Sequence, residues 1–139
     1  MSSFRQLKAK SMNHEKCLVD TLKHMGYSPV VGQDQTVRGD TRADNRKGYQ
    51  ILLRKEDTGS RGDIGFKKEA DGFYTIGMDP YIMSPITPEN FMDKVEGQYI
   101  VTKAKATAAK LGLRVVGAPQ KYEVNGKQHV RLQYEKVGA

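Results

Sequence analysis

The sequence predicts an α+β domain built on an antiparallel sheet, and three observations carry that prediction. Two amphipathic segments each close at a glycine, Gly26 and Gly112. Short apolar runs bounded by turn formers fill the space between them. Near the end, Asn125-Gly126 separates two alternating runs, the strongest short-range signal for a hairpin. Helical and strand periodicities in one short chain, without a regular βαβ alternation, define the class.

The elements follow in order. Phe4, Leu7 and Ala9 alternate imperfectly with Arg5, Gln6, Lys8 and Lys10, as a first strand with one buried side would. Ser11 or Asn13 then offers an N-cap, with Glu15 near the positive end of the helix dipole. Cys17, Leu18, Thr21, Leu22 and Met25 recur at helical spacing, which predicts a helix over 13–25 with Gly26 as its left-handed cap. Past the Tyr27-Ser28-Pro29 corner, Val30 to Val37 reads as a strand and Arg38 to Gly48 as a long polar loop. Tyr49-Gln50-Ile51-Leu52-Leu53-Arg54 is a buried strand, and Thr58 to Gly62 turns the chain into Asp63-Ile64-Gly65-Phe66-Lys67. Ala70-Asp71-Gly72 supplies a hairpin turn into Phe73 to Met78.

Thr87-Pro88 places a capping hydroxyl before a proline suited to the first helical position. Phe91, Val95, Ile100, Val101, Ala104, Ala108 and Leu111 then supply one apolar face of a long second helix, with a bend or break anticipated at Gly97. Arg114-Val115-Val116 and Val130 to Tyr134 are the last strands. The order is β-α-β-β-β-β-α-β-β, with both helices on one sheet face. The pattern of helix end, glycine, corner and paired valines in 22–31 recurs in 108–116. The chain therefore also reads as two β-α-β-β halves, ferredoxin-like or TBP-like, sharing one sheet. A length of 139 residues fits one domain, 1–139.

Composition narrows the setting. No apolar run approaches the ~18 residues of a membrane span. The first residues lack the apolar stretch of a secretory leader, and the single Cys17 excludes an intrachain disulfide. A cytoplasmic protein is expected (plastid stroma or infected-cell cytoplasm included), with no membrane contact. The net charge is +7, and residues 1–68 hold 14 Lys and Arg against 8 Asp and Glu, which is +6. Such asymmetry favours an anionic partner.

Sequences that carry chemistry are scarce. His14 and Cys17 lie three apart on the first helix, but two ligands do not make a zinc site. Cys17 belongs to the apolar stripe, and His24 and His129 read as surface residues. No phosphate-cradling lysine loop, dinucleotide fingerprint or nucleophile elbow occurs. Asp63 is the foremost carboxylate candidate, yet a turn residue bonded to the amides of the Gly62 corner explains it more simply. No catalytic residue, metal or cofactor is expected, and the protein reads as a non-enzymatic binding or accessory protein.

The basic segment is the strongest binding signal. Arg38, Arg42, Arg46, Lys47, Arg54, Lys55 and Arg61 fall in one loop-strand-loop stretch, and guanidinium forks match phosphate geometry. Tyr49, Phe66, Phe73 and Tyr74 would offer stacking faces. The anionic-ligand candidates are Arg38, Arg42, Arg46, Lys47, Arg54, Arg61, Tyr49 and Tyr74. A nucleotide or nucleic acid is the favoured partner. Against this, Asp40, Asp44, Glu56 and Asp57 partly neutralise the stretch. The alternative is a protein–protein adaptor using an exposed sheet face or edge strand, with a homo-oligomer compatible with either.

Several separated motifs resemble one family. They are Met1-Ser2-Ser3-Phe4 with Leu7-Lys8, Leu22-Lys23-His24-Met25-Gly26-Tyr27, Val37-Arg38-Gly39, Asp63-Ile64-Gly65-Phe66, Gly72-Phe73-Tyr74, Gln98-Tyr99, Lys110-Leu111-Gly112 and the turn at Asn125-Gly126. In this order they resemble the DUF1257 or Ycf35-like family of plastid, cyanobacterial, bacterial and phage proteins. The resemblance implies an α+β fold and an intracellular setting but no reaction. Its phage members suggest a ligand-sequestering or host-modulating role. The chain departs from the family pattern in a basic insertion from Asp40 to Lys47 and in lacking tryptophans around Met78-Asp79-Pro80-Tyr81.

Overall fold

A computed structural model of the chain describes residues 5–9, 11–38, 46–60, 62–78 and 87–137. Its elements are β1 (Arg5–Lys8), α1 (Glu15–His24), β2 (Val30–Val37), β3 (Arg46–Leu53), α2 (Lys55–Thr58), β4 (Ile64–Lys68), β5 (Tyr74–Met78), α3 (Pro88–Lys110), β6 (Leu113–Val124) and β7 (Lys127–Lys136). The α+β class is the one the sequence predicts, with the short α2 added where a turn is read.

β2 to β5 form an antiparallel meander, and β1 joins at the β5 edge, giving the order β1-β5-β4-β3-β2. The chain thus starts at one edge of the sheet, crosses it through α1 and resumes at the other. Leu7 pairs with Ile76, Ile76 with Phe66 and Phe66 with Ile51, so these apolar side chains form one row across the sheet. Leu18 and Leu22 of α1 and Phe91, Val95 and Tyr99 of α3 pack into the same core. Both helices therefore cover one face, as the sequence leads one to expect.

β6 and β7 correct the expectation of a single sheet. They form a separate two-stranded ribbon that lies against α3, which removes the reading of two equivalent halves. The cause is visible along α3. Phe91, Val95 and Tyr99 face the main core. Gly97, Val101, Ala104 and Ala108, also three or four residues apart, form a second stripe of small side chains. At Gly97 a Cβ would sit 3.6 Å from the Lys121 Nζ of β6, and Ala108 shares a groove with Leu113 and Tyr134. The helix is apolar on two sides because it has two partners, and it runs unbroken through Gly97.

Most termini match their sequence signals. Gly26 and Gly112 carry φ of +92° and +72° just past α1 and α3, and the Thr87 hydroxyl accepts the Asn90 N–H at 3.1 Å. The turn at Asn125-Gly126 has positive φ at both residues, 51° and 76°. The cap of α1 is His14 rather than Ser11 or Asn13: its Nδ1 accepts the Cys17 N–H at 3.3 Å. The Tyr99 hydroxyl of α3 fixes this start by accepting the His14 N–H at 3.1 Å. That contact spans 85 residues, so no local signal announces it.

Candidate functional site

The densest polar cluster among the described residues forms where β2 ends, α2 begins and β4 begins. Its centre is the Asp63 side chain, fully buried at 0% exposure. One carboxylate oxygen, Oδ2, accepts from the Arg38 backbone N–H at 2.8 Å, Arg38 Nε at 2.9 Å and Arg54 Nη1 at 3.1 Å. The other, Oδ1, accepts from Arg38 Nη2 at 3.0 Å and the Lys55 backbone N–H at 2.8 Å. In return the Asp63 N–H donates to the Arg38 carbonyl at 2.8 Å. Asp63 thus caps the first turn of α2 from outside the helix, while Arg54 at the N-cap position makes no side-chain cap bond. The amides it accepts are those of Arg38 and Lys55, not those of the Gly62 corner.

The electrostatics follow from this arrangement. Burial pushes the Asp63 carboxyl up, but the Arg38 guanidinium and the two backbone donors outweigh it and hold the group below the usual carboxylate range. Hydrogen bonds to Asp63 and to Glu56, whose Oε2 lies 2.7 Å from Arg38 Nη2, raise Arg38 further above its already high value. Two cations face two anions, so the cluster is close to neutral. An acid surrounded by five donors also has no lone pair left over for a substrate proton.

Gly65, two residues on, shapes the opposite sheet face. A Cβ there would lie 2.3 Å from Val37 Cγ2 and 2.6 Å from Tyr49 Cδ1. Gly65 pairs with Gly77, and Gly77 with Gln6, so a shallow lane crosses the sheet. At its far side Gln6 Nε2 donates to the Tyr49 hydroxyl at 3.0 Å. Val37, Tyr49 and Leu52 form a second small core on this face. The segments Val37-Arg38 and Asp63-Ile64-Gly65-Phe66, distant in sequence, are therefore complementary halves of one joint.

The predicted site residues separate accordingly. Arg38 and Arg54 converge on Asp63, and both remain about a third exposed, 36% and 35%. Arg46 and Lys47 are exposed at the start of β3. Tyr49 and Tyr74 are 1% and 0% exposed, so neither presents the ring face that stacking on a base would need; Tyr49 packs with Val37 and Leu52, and Tyr74 lies with Phe66 in the main core. Tyr74 titrates at about 12, pushed up by burial. Arg42 and Arg61 lie outside the described residues. His14 caps α1 and Cys17 is half-buried beside the core. Among the described residues no three His, Cys, Asp or Glu side chains gather around one point.

A second feature has no single sequence motif. Between the C-terminal half of α3 and the base of the ribbon runs a groove of about 500 Å³, walled by Ile100, Ala104, Ala108, Leu111, Leu113 and the Tyr134 ring. Leu111 is 70% and Tyr134 45% exposed. The helical stripe was legible in the sequence, but its pairing with Tyr134 needed the ribbon to fold back on α3.

An antiparallel five-stranded sheet covered by two helices, with a ribbon docked on the second, defines a small α+β domain whose candidate surfaces are a joint of charges and an apolar groove. The sequence profile described as "Protein of unknown function (DUF1257)" matches residues 21–132, and the chain belongs to that family. No curated protein and no solved structure matches it.

Proposed function

We propose that the protein is a non-catalytic binding module that receives a protein partner in the groove between α3 and the β6–β7 ribbon. The observation that carries this reading is an apolar trough left open to solvent, with Leu111 and Tyr134 on its rim. Large exposed apolar side chains gathered at one place mark interaction surfaces, unlike the same residues scattered singly. The saturated Asp63 also supports a binding role over acid–base chemistry. Native mass spectrometry of protein taken from its own cell would identify the retained partner. Leu111→Asp should weaken that complex about tenfold or more by placing a charge in the trough, with little dependence on salt. An unchanged affinity would reject the groove as the contact.

A second reading keeps a phosphate-bearing ligand, a nucleotide or a nucleic acid strand, at the exposed Arg46 and Lys47. It is favoured by the +6 balance of residues 1–68, and the phage relatives suggested by the family resemblance would make such a ligand a target for sequestration. Affinity would then fall steeply with added salt, and the pair Arg46→Ala and Lys47→Ala would reduce it where Leu111→Asp would not.

A further inference from the structure

The strand edges of the molecule are unequally guarded. β1, at one side of the main sheet, is four residues long. β2, at the other, has register shifts on both sides of Gln35. β6 carries Pro119 and a register shift between Val116 and Gln120, where four steps on β6 match two on β7. Short strands, bulges and prolines are the ordinary protections of an open edge. β7 lacks all three and is guarded by charge alone: it is ten residues long, KQHVRLQYEK, without proline or glycine. Its outer edge pairs with no other strand among the described residues.

The order of side chains on β7 is self-complementary. With a two-fold axis at Gln133, an antiparallel copy sets Arg131 opposite Glu135 of the partner subunit and Leu132 opposite Tyr134 of the partner subunit, each pair occurring twice. Residues directly opposite across antiparallel strands share a face, so next to the axis charge meets opposite charge on one side and apolar meets apolar on the other, with Val130 opposite Lys136 further out. Glu135 already pairs with Arg114 across the ribbon, and the second copy would bring a second arginine to it. Arg131, Gln133 and Tyr134 are exposed in the single chain. A two-stranded ribbon is marginal by itself, and a third and fourth strand relieve that weakness.

We propose that the protein forms a two-fold dimer by pairing the outer edge of β7 with the same edge of a second copy, making one four-stranded sheet from two ribbons. An isologous contact of this kind closes on itself and stops at two chains. It does not rest on what the groove binds, although Tyr134 borders both surfaces. Sedimentation equilibrium of the full chain tests it, with circular dichroism confirming the fold of each variant. The wild type should be dimeric at micromolar concentration. Arg131→Glu, which sets like charges opposite each other twice, should raise the dissociation constant about tenfold or more. Adding Glu135→Arg to it should restore the dimer. Gln133→Lys, at an exposed position on the axis, should also dissociate it, whereas Leu111→Asp should leave it intact. A monomeric wild type, an Arg131→Glu or Gln133→Lys protein that associates as before, or a folded double variant that stays monomeric would overturn the proposal.

Discussion

A single buried carboxylate decides the geometry of three chain segments. Asp63 joins Arg38, Arg54 and Lys55 through five hydrogen bonds, and removing one side of such a network strands the other. Asp63→Asn should therefore destabilise the fold by about 3 kcal/mol, measured by urea denaturation near neutral pH. The pH dependence has a definite sign. The folded carboxyl titrates below its unfolded value, so its contribution is complete above about pH 4 and is lost as the pH falls through the folded value. The stability difference between wild type and Asp63→Asn should narrow in acid and stay constant between neutral pH and mild alkali. Gly65 makes a steric prediction at the same scale. Gly65→Ala forces a methyl against Val37 and the Tyr49 ring and should cost about 1–3 kcal/mol by overpacking. The sequence shows Asp63 and Gly65 as motif residues, but their reasons lie 25 residues upstream at Arg38 and in the ring of Tyr49. Nothing in the local pattern separates a buried aspartate from a turn aspartate.

Elements were legible wherever local chemistry determines them. Gly26, Thr87-Pro88, Gly112 and Asn125-Gly126 each do what backbone geometry asks at a terminus or turn. α2 was not legible, because its first amide is capped by Asp63, which lies just before β4. The division of the strands into two sheets was also hidden, since alternation reports that a strand has a buried side without saying what covers it. α3 contains the missing information in a blurred form. Its apolar residues exceed one stripe because the helix lies between the main core and the ribbon. At Gly97 the nearest neighbours of an added methyl would be atoms of the flexible Lys121 side chain, at 3.6 to 3.8 Å. Gly97→Ala should therefore stabilise the protein by about 0.5–1 kcal/mol, read as a raised denaturation midpoint with an unchanged slope. A loss of stability would show that the ribbon needs closer approach than this packing gives it.

At the scale of the whole molecule, the apolar walls of the groove lie outside the basic first half of the sequence. The basic half of the sequence suggested an anion site, and two of its arginines are bound up in a near-neutral joint that holds β2, α2 and β4 together. Among the described residues the apolar groove on α3 and the long edge of β7 stay open, as do the exposed side chains of Arg46 and Lys47. The groove and the edge belong to the part of the fold least determined by local sequence, so composition does not announce them. The claim on which this picture depends is that Arg38 serves the fold. Thermal melting of wild type and Arg38→Ala, each with and without inorganic polyphosphate, tests it most directly. Arg38→Ala should melt several degrees lower in plain buffer, and polyphosphate should shift both proteins equally. A variant that melts with the wild type in buffer but alone loses stabilisation by polyphosphate would contradict the account and return Arg38 to an anion-binding role.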